Sequence, residues 1–128
     1  MLQLELLPCN APKCPLLRFS GDDPVACTQL TEAFQQLASR KVKRVCISDL
    51  PGIEPIDDCS LTALLGTHNR GVVLVRGVNS FEWLLTAAGW DNNAGLIEPF
   101  CEQHCFHSHQ WLDSPSDVAV LLSPSGQW

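Results

Sequence analysis

The sequence predicts an α+β fold in which helices cover one face of a mostly antiparallel sheet. Three apolar runs, Ser60–Leu65, Val72–Val75 and Phe81–Leu85, follow one another closely. Polar breaks containing glycine separate the runs, and each run is shorter than a typical helix, which is the pattern of neighbouring strands. An amphipathic segment over residues 23–39 supplies a helix that shields one face of the sheet. We therefore expect the three runs to form an antiparallel meander within a two-layer fold of six or seven strands.

Length and composition fit a single domain over residues 1–128. The chain of 128 residues has 45% hydrophobic and 17% charged residues, which is ordinary for a globular protein. No apolar run approaches the roughly 20 residues that a membrane helix needs. The first five residues lack the basic start and apolar core of a secretory signal. We therefore expect a cytoplasmic protein that does not contact a membrane.

The first third of the chain is expected to form two strands and one long helix. Leucines alternating with polar residues predict a half-buried strand over Leu2–Leu7. Prolines then favour an extended loop before a short second strand, Leu16–Phe19. Asp23 followed by Pro24 predicts a capped helix start. Apolar residues between Ala26 and Ala38 then recur at helical spacing, so this helix is amphipathic.

A basic segment, Arg40–Arg44, follows the helix and holds four of the eight Lys and Arg residues. Cations near a helix C-terminus offset the helix dipole, which is one interpretation of the segment. An anion-binding patch is the other interpretation. The sequence leaves both open, and it predicts a third strand at Val45–Ile47 directly afterwards.

An acidic loop with two prolines separates the third strand from the expected meander. It carries four carboxylates within ten residues: Asp49, Glu54, Asp57 and Asp58. Crowded oxygen ligands suit calcium or magnesium, but this spacing does not match the calcium loop of an EF-hand. We interpret the loop as solvated and as a contact surface for a cationic partner.

Beyond the meander, the sequence predicts a short helix and a final hairpin. Ala87–Gly89 is expected to end the sheet locally, and Gly95 and Pro99 weaken the helix that follows. A strand leading into Trp111–Leu112 and the apolar strand Val118–Leu122 complete the sheet. A strand so near a terminus is expected at a sheet edge, where an open ladder invites pairing. This predicts a homodimer through the C-terminal edge strand.

The clearest chemical signature is a concentration of metal-binding side chains between residues 101 and 109. These side chains are Cys101, His104, Cys105, His107 and His109. On a helix Cys101, His104 and Cys105 share one face, and on a strand His107 and His109 do. Zinc takes four such ligands in a tetrahedron, but one short segment rarely supplies all four. A zinc-type site, a Cys–His nucleophile and a polar connection with incidental Cys and His are therefore three open hypotheses.

Charge and missing motifs favour a noncatalytic binding protein. A net charge of −6 argues against nucleic acid, whose binding needs clustered Lys and Arg. The chain has no P-loop, dinucleotide-binding glycine pattern or serine elbow. Its seven cysteines are an odd number and fit reduced, mostly buried thiols. We therefore predict a small binding or interaction protein whose acidic surface contacts a protein or small-molecule partner, with a zinc-binding protein and a small enzyme as the alternatives.

Overall fold

The fold is α+β, as expected, and the residues that the structure describes form two helices and nine strands in two mixed sheets. The computed structural model describes residues 1–7, 15–77, 79–102, 108–113 and 118–127, and of Arg76 it describes the backbone alone. The strands are Leu2–Leu7 (β1), Leu16–Ser20 (β2), Arg44–Cys46 (β3), Ile53–Pro55 (β4), Ser60–Leu65 (β5), Gly71–Arg76 (β6), Ser80–Leu85 (β7), Gln110–Asp113 (β8) and Ala119–Leu122 (β9). The helices are Pro24–Ala38 (α1) and Ala87–Glu102 (α2), and Ile47–Asp49 forms a 3₁₀ turn. Neither helix in this part of the chain is long and apolar enough to cross a membrane.

Helix α1 confirms the helix that the sequence predicts over residues 23–39. Asp23 is its N-cap, and the Asp23 carboxylate accepts the Ala26 N–H at 3.0 Å. Leu30, Phe34 and Leu37 are fully buried on its inner face. Burying each such side chain contributes roughly 1.5–3 kcal/mol, so this face accounts for the stability of the helix far more than its caps do.

The strands divide between two sheets. This corrects the single, mostly antiparallel sheet of six or seven strands that the sequence predicts. One sheet has the order β4-β1-β2-β9-β8, and the other has the order β3-β5-β7-β6. Three of the strand pairs, β1–β4, β2–β9 and β5–β7, are parallel. The other four described pairs are antiparallel. Apolar patterning predicts which residues form strands, but it carries no information on which strands become neighbours.

The three central strands form where expected, but they are not a meander. β5 and β6 lie on either side of β7, with β5 parallel and β6 antiparallel to it. The connection over residues 66–70 therefore crosses the carboxyl end of β7. Gly66 donates its N–H to the Leu85 carbonyl at 2.9 Å. The Asn69 carbonyl oxygen Oδ1 accepts the Thr86 N–H at 2.9 Å. These two contacts hold the connection against the end of β7. A sequence pattern does not reveal this crossing.

Helix α2 is longer than the short helix expected after the central strands. It begins at Ala87, so residues 87–89 start a helix instead of ending the sheet in a loop. Pro99 lies inside the helix, where proline costs about 3 kcal/mol. Trp90 and Ile97 are fully buried, and α2 packs against α1. Burial of this face offsets the local cost, which explains why local propensity underestimates the helix.

Aromatic side chains at the centre join both helices to both sheets. Ring centroids of Trp83, Phe34 and Trp90 lie 4.9–5.6 Å apart. Trp83 Nε1 donates to the buried Asp113 Oδ2 at 3.0 Å, which links β7 to β8 in the other sheet. Trp90 Nε1 donates to the Leu64 carbonyl, also at 3.0 Å. Buried apolar side chains from both sheets and both helices form one cluster around these rings.

Strand β9 lies inside its sheet, which corrects its expected place at an edge. It is parallel to β2 on one side and antiparallel to β8 on the other. Both of its ladders are therefore occupied, and β8 forms the edge instead. A homodimer through this part of the sheet stays a prediction, and it would have to use β8.

Candidate functional site

The parallel strands β5 and β7 give the molecule two chemically different ends. They are in register over six residues, from Ser60 opposite Ser80 to Leu65 opposite Leu85. Six strand residues span roughly 20 Å. Basic side chains lie near the carboxyl ends of these strands, and acidic side chains lie near their amino ends.

Five of the eight Lys and Arg residues form what we call the basic end: Arg40, Lys41, Lys43, Arg44 and Arg70. Arg44 lies opposite Leu64 in the β3–β5 ladder, and the Lys43 carbonyl accepts the Leu65 N–H at 2.9 Å. Arg70 directly precedes β6, whose first residue lies opposite Leu84. Ion pairs within the described residues join Met1 to Asp23 and Arg18 to Glu5. The five cations of the basic end therefore have no carboxylate within 4 Å in this part of the chain.

A cleft of about 490 Å³, which we call the basic cleft, opens at this end. Its volume is within the range of small-molecule sites. One wall comes from the end of β5, a second from the β7–α2 junction, and a third from the connection between α1 and β3. The lining residues are Leu65, Gly66 and Thr67; Thr86 and Ala87; and Arg40 and Lys43.

The β7–α2 junction is built from three polar contacts around Thr86. Thr86 Oγ1 donates to Asn69 Oδ1 at 3.0 Å and accepts the Gly89 N–H at 3.1 Å. A Cβ at position 89 would lie 2.7 Å from Asn69 Oδ1, so a larger residue there would push the Asn69 amide out of these contacts. The loop of residues 66–70 is thereby held against the first turn of α2. The positive end of that helix lies at the cleft, where Ala87 lines it.

Arg40 reaches the cleft from a strained backbone conformation. Its φ is 63°, in the left-handed region, at the position after a helix C-cap where glycine is usual. The Arg40 N–H donates to the Leu37 carbonyl at 3.1 Å, and the Lys41 N–H donates to the Gln36 carbonyl at 3.0 Å. These two bonds are a Schellman motif that ends α1. A left-handed residue other than glycine costs roughly 1 kcal/mol, and strain of this kind is enriched at functional sites.

The four carboxylates of the predicted acidic surface lie exposed near the amino ends of β5 and β7. We call this set the acidic end: Asp49, Glu54, Asp57 and Asp58. Asp57 and Asp58 have φ of 54° and 57° and form the centre of a turn closed by Cys59 N–H to Ile56 O at 3.1 Å. Positive φ at both central residues defines a type I′ turn. Asn79 Nδ2 donates to the Asp57 carbonyl at 2.6 Å and ties this turn to the β6–β7 hairpin.

The remaining two acidic residues lie on a strand and a 3₁₀ turn, which corrects the single loop expected around these four carboxylates. Glu54 lies in β4, and its Oε1 is 3.4 Å from Gln3 Nε2. Asp49 ends the 3₁₀ turn, whose Ser48 Oγ accepts the Leu61 N–H at 3.3 Å. Within the described ranges, no three Asp, Glu, His or Cys side chains are arranged to hold a metal ion. The acidic end is thus an exposed surface of separate carboxylates.

Cys59 lies beneath the acidic end and is 1% exposed. Burial, and then the charge of Glu5, raise the pKa of the Cys59 thiol to about 11. The thiolate is the nucleophilic form of cysteine. Cys59 is therefore a protonated, unreactive side chain at neutral pH.

The Cys- and His-rich segment lies largely outside the described residues. His104, Cys105 and His107 belong to that part, so the zinc-type site and the Cys–His nucleophile stay predictions. Cys101 is in the last turn of α2, with its Sγ 3.2 Å from Thr31 Oγ1 on α1. His109 is exposed before β8, with its ring centroid 6.5 Å from that of Trp111.

The basic cleft is not visible in the sequence. The sequence shows the basic segment at residues 40–44, which is compatible both with a helix end and with an anion-binding patch. The other walls, at Thr67 and Thr86, lie more than twenty residues further along the chain. They meet the basic segment because β3 is antiparallel to β5, and because β5 and β7 are parallel neighbours that end at the same level.

Comparisons with protein-family models, with curated proteins and with solved structures find no match for this chain.

Proposed function

We propose that this protein is a noncatalytic binding protein that holds a small molecule in the basic cleft. The observation that carries the proposal is the position of the cleft at the carboxyl ends of two adjacent parallel strands. One connection leaves β5 across β7 toward β6, and the other leaves β7 directly into α2. In open sheets with parallel strands, ligands occupy the crevice where such connections diverge.

The lining of the cleft favours binding over turnover. It combines two cations and two hydroxyls with the apolar side chains of Leu65 and Ala87. The Thr86 hydroxyl is already engaged with Asn69 and Gly89. No thiol or carboxylate is among the described lining residues.

Ligand-observed NMR with a mixed library of neutral, cationic and anionic small molecules tests this function. Thr67→Trp places a large side chain at the cleft, and His68→Trp is the matched control because His68 is equally exposed but does not line it. We expect hits that lose about tenfold or more in affinity with Thr67→Trp and keep it with His68→Trp. A library without any hit, or hits insensitive to Thr67→Trp, would contradict the proposal.

The acidic surface contacting a cationic protein partner is the alternative form of a binding function. Its support is the exposure of all four predicted carboxylates, which lie within ten residues of one another along the chain. Titration with a heptalysine peptide separates the two forms. Amide shifts confined to residues 49–58 would favour the acidic surface, whereas an unchanged spectrum would count against it.

A further inference from the structure

We propose that the ligand of the basic cleft is a phosphate monoester of a small organic molecule. This inference rests on the proposed function and adds the chemical class of the ligand. Its first support is the charge of the site. Arg40 and Lys43 line the cleft, and neither has a carboxylate within 4 Å among the described residues. A dianionic phosphate neutralises two such cations in a molecule whose net charge is −6.

The arrangement of donors also fits a phosphate. Phosphate oxygens accept several hydrogen bonds from different directions, and the planar guanidinium of arginine matches two of them at once. Arg40 and Lys43 approach from the α1–β3 connection, whereas Thr67 and the first turn of α2 form the other walls. Asp91, further along α2, lies beside Gln35 and Ser39 and does not line the cleft. The positive charges of Arg40 and Lys43 are therefore not neutralised by a carboxylate among the described lining residues.

The backbone of Arg40 is an independent observation in favour of an anionic ligand. Residue 40 has a left-handed φ of 63° at a position where glycine ends most comparable helices without strain. Glycine would satisfy both hydrogen bonds of the Schellman motif equally well. Residue 40 thus carries a cationic side chain at a conformational cost that the Schellman motif itself does not require.

The cleft is larger than a free phosphate ion requires. About 490 Å³ accommodates an organic group as well as the phosphate. Leu65 and Ala87 supply the apolar part of the lining. A compact alcohol or sugar esterified with phosphate uses both the cationic and the apolar walls.

Isothermal titration with glucose 6-phosphate tests the class of ligand, with glucose as the neutral control and glucuronate as the carboxylate control. Lys43→Gln and Lys41→Gln are matched variants because both remove one exposed cation from the same segment, and only Lys43 lines the cleft. We expect glucose 6-phosphate to bind more tightly than either control. Lys43→Gln should weaken its binding by about tenfold, as loss of a charge-assisted contact does, and Lys41→Gln by less than about twofold.

Ala87→Glu distinguishes a loss of binding from a loss of folding. An acidic residue in the first turn of a helix stabilises it, so this variant should keep its thermal midpoint while losing glucose 6-phosphate binding. Equal effects of Lys41→Gln and Lys43→Gln, or binding that persists in Ala87→Glu, would overturn the inference. Library hits in the cleft without phosphate binding would overturn the inference and leave the proposed function standing. Absence of any hit in the cleft would instead remove the proposed function.

Discussion

The basic end and the acidic end of the β5–β7 pair share an unusual backbone conformation and differ in shape. Each end contains residues other than glycine in the left-handed region, Arg40 at one and Asp57 with Asp58 at the other. Two cations of the basic end, Arg40 and Lys43, line a cleft between three walls. The carboxylates of the acidic end lie on an exposed turn and on neighbouring elements.

This difference shows why net charge is a poor guide to the ligand of a folded protein. A net charge of −6 argues against an anionic ligand when the chain is treated as a whole. Charges separated by about the length of a strand act independently, because the Debye length at physiological ionic strength is only about 8 Å. A ligand in the basic cleft is therefore governed by the two cations that line it, Arg40 and Lys43, and the carboxylates of the opposite end are largely screened from it.

The largest effect that we predict concerns pH at the acidic end. The folded-state pKa of Cys59 is raised from 9.0 to about 11, so between these pH values the thiol ionises in the unfolded chain but not in the folded protein. The free energy of unfolding is therefore highest below pH 9 and falls as pH rises to 11. A shift of this size corresponds to roughly 2–3 kcal/mol. Urea unfolding at pH 8 and pH 11 measures it, and Cys59→Ala should reduce the loss whereas Cys46→Ala should not. The same loss in all three proteins would show that Cys59 is not its source.

Arg40→Gly should separate stability from binding at the basic end. Glycine relieves the left-handed strain, so the free energy of unfolding should rise by roughly 1 kcal/mol. The variant also removes a cation from the cleft, so the affinity for glucose 6-phosphate should fall several-fold. Chemical denaturation and isothermal titration on one preparation measure both quantities. A loss of stability would mean that the Arg40 side chain makes a stabilising contact, and the strain argument would fail.

The smallest effect is expected from the corresponding change at the acidic end. Asp57→Asn with Asp58→Gly introduces the residues that type I′ turns favour, and the free energy of unfolding should rise by about 0.5 kcal/mol. The affinity for glucose 6-phosphate should stay within about twofold because the turn is remote from the cleft. A large gain in affinity on removing these two carboxylates would show that the two ends are electrostatically coupled, which would break the comparison.

Local signals predict most of the elements, but not β4, the full length of α2 or the arrangement of the strands. Asp23 and Pro24 mark the start of α1, and its apolar spacing predicts which face is buried. The length of α2 was missed because Gly95 and Pro99 weigh against a helix locally. Packing of Trp90 and Ile97 against α1 outweighs that penalty, and this energy is absent from any window of the sequence.

The candidate site divides in the same way. The four acidic residues are visible in the sequence because they are neighbours along the chain, and they are exposed as expected. The basic cleft is not visible, because its walls come from residues 40–43, 65–67 and 86–87. Any signal for it would have required knowing that β5 and β7 are parallel.

The sequence by itself determined the α+β class, the position of α1, the central strand segments and the chemistry of the charged segments. These features depend on periodicity, capping and turn residues, which act over a few neighbours in the chain. Tertiary structure alone decided the two-sheet topology, the parallel pairing of β5 with β7, the full length of α2 and the assembly of the basic cleft. Strand order is set by burial and hydrogen bonding between residues far apart in sequence, and these are summed over the whole molecule.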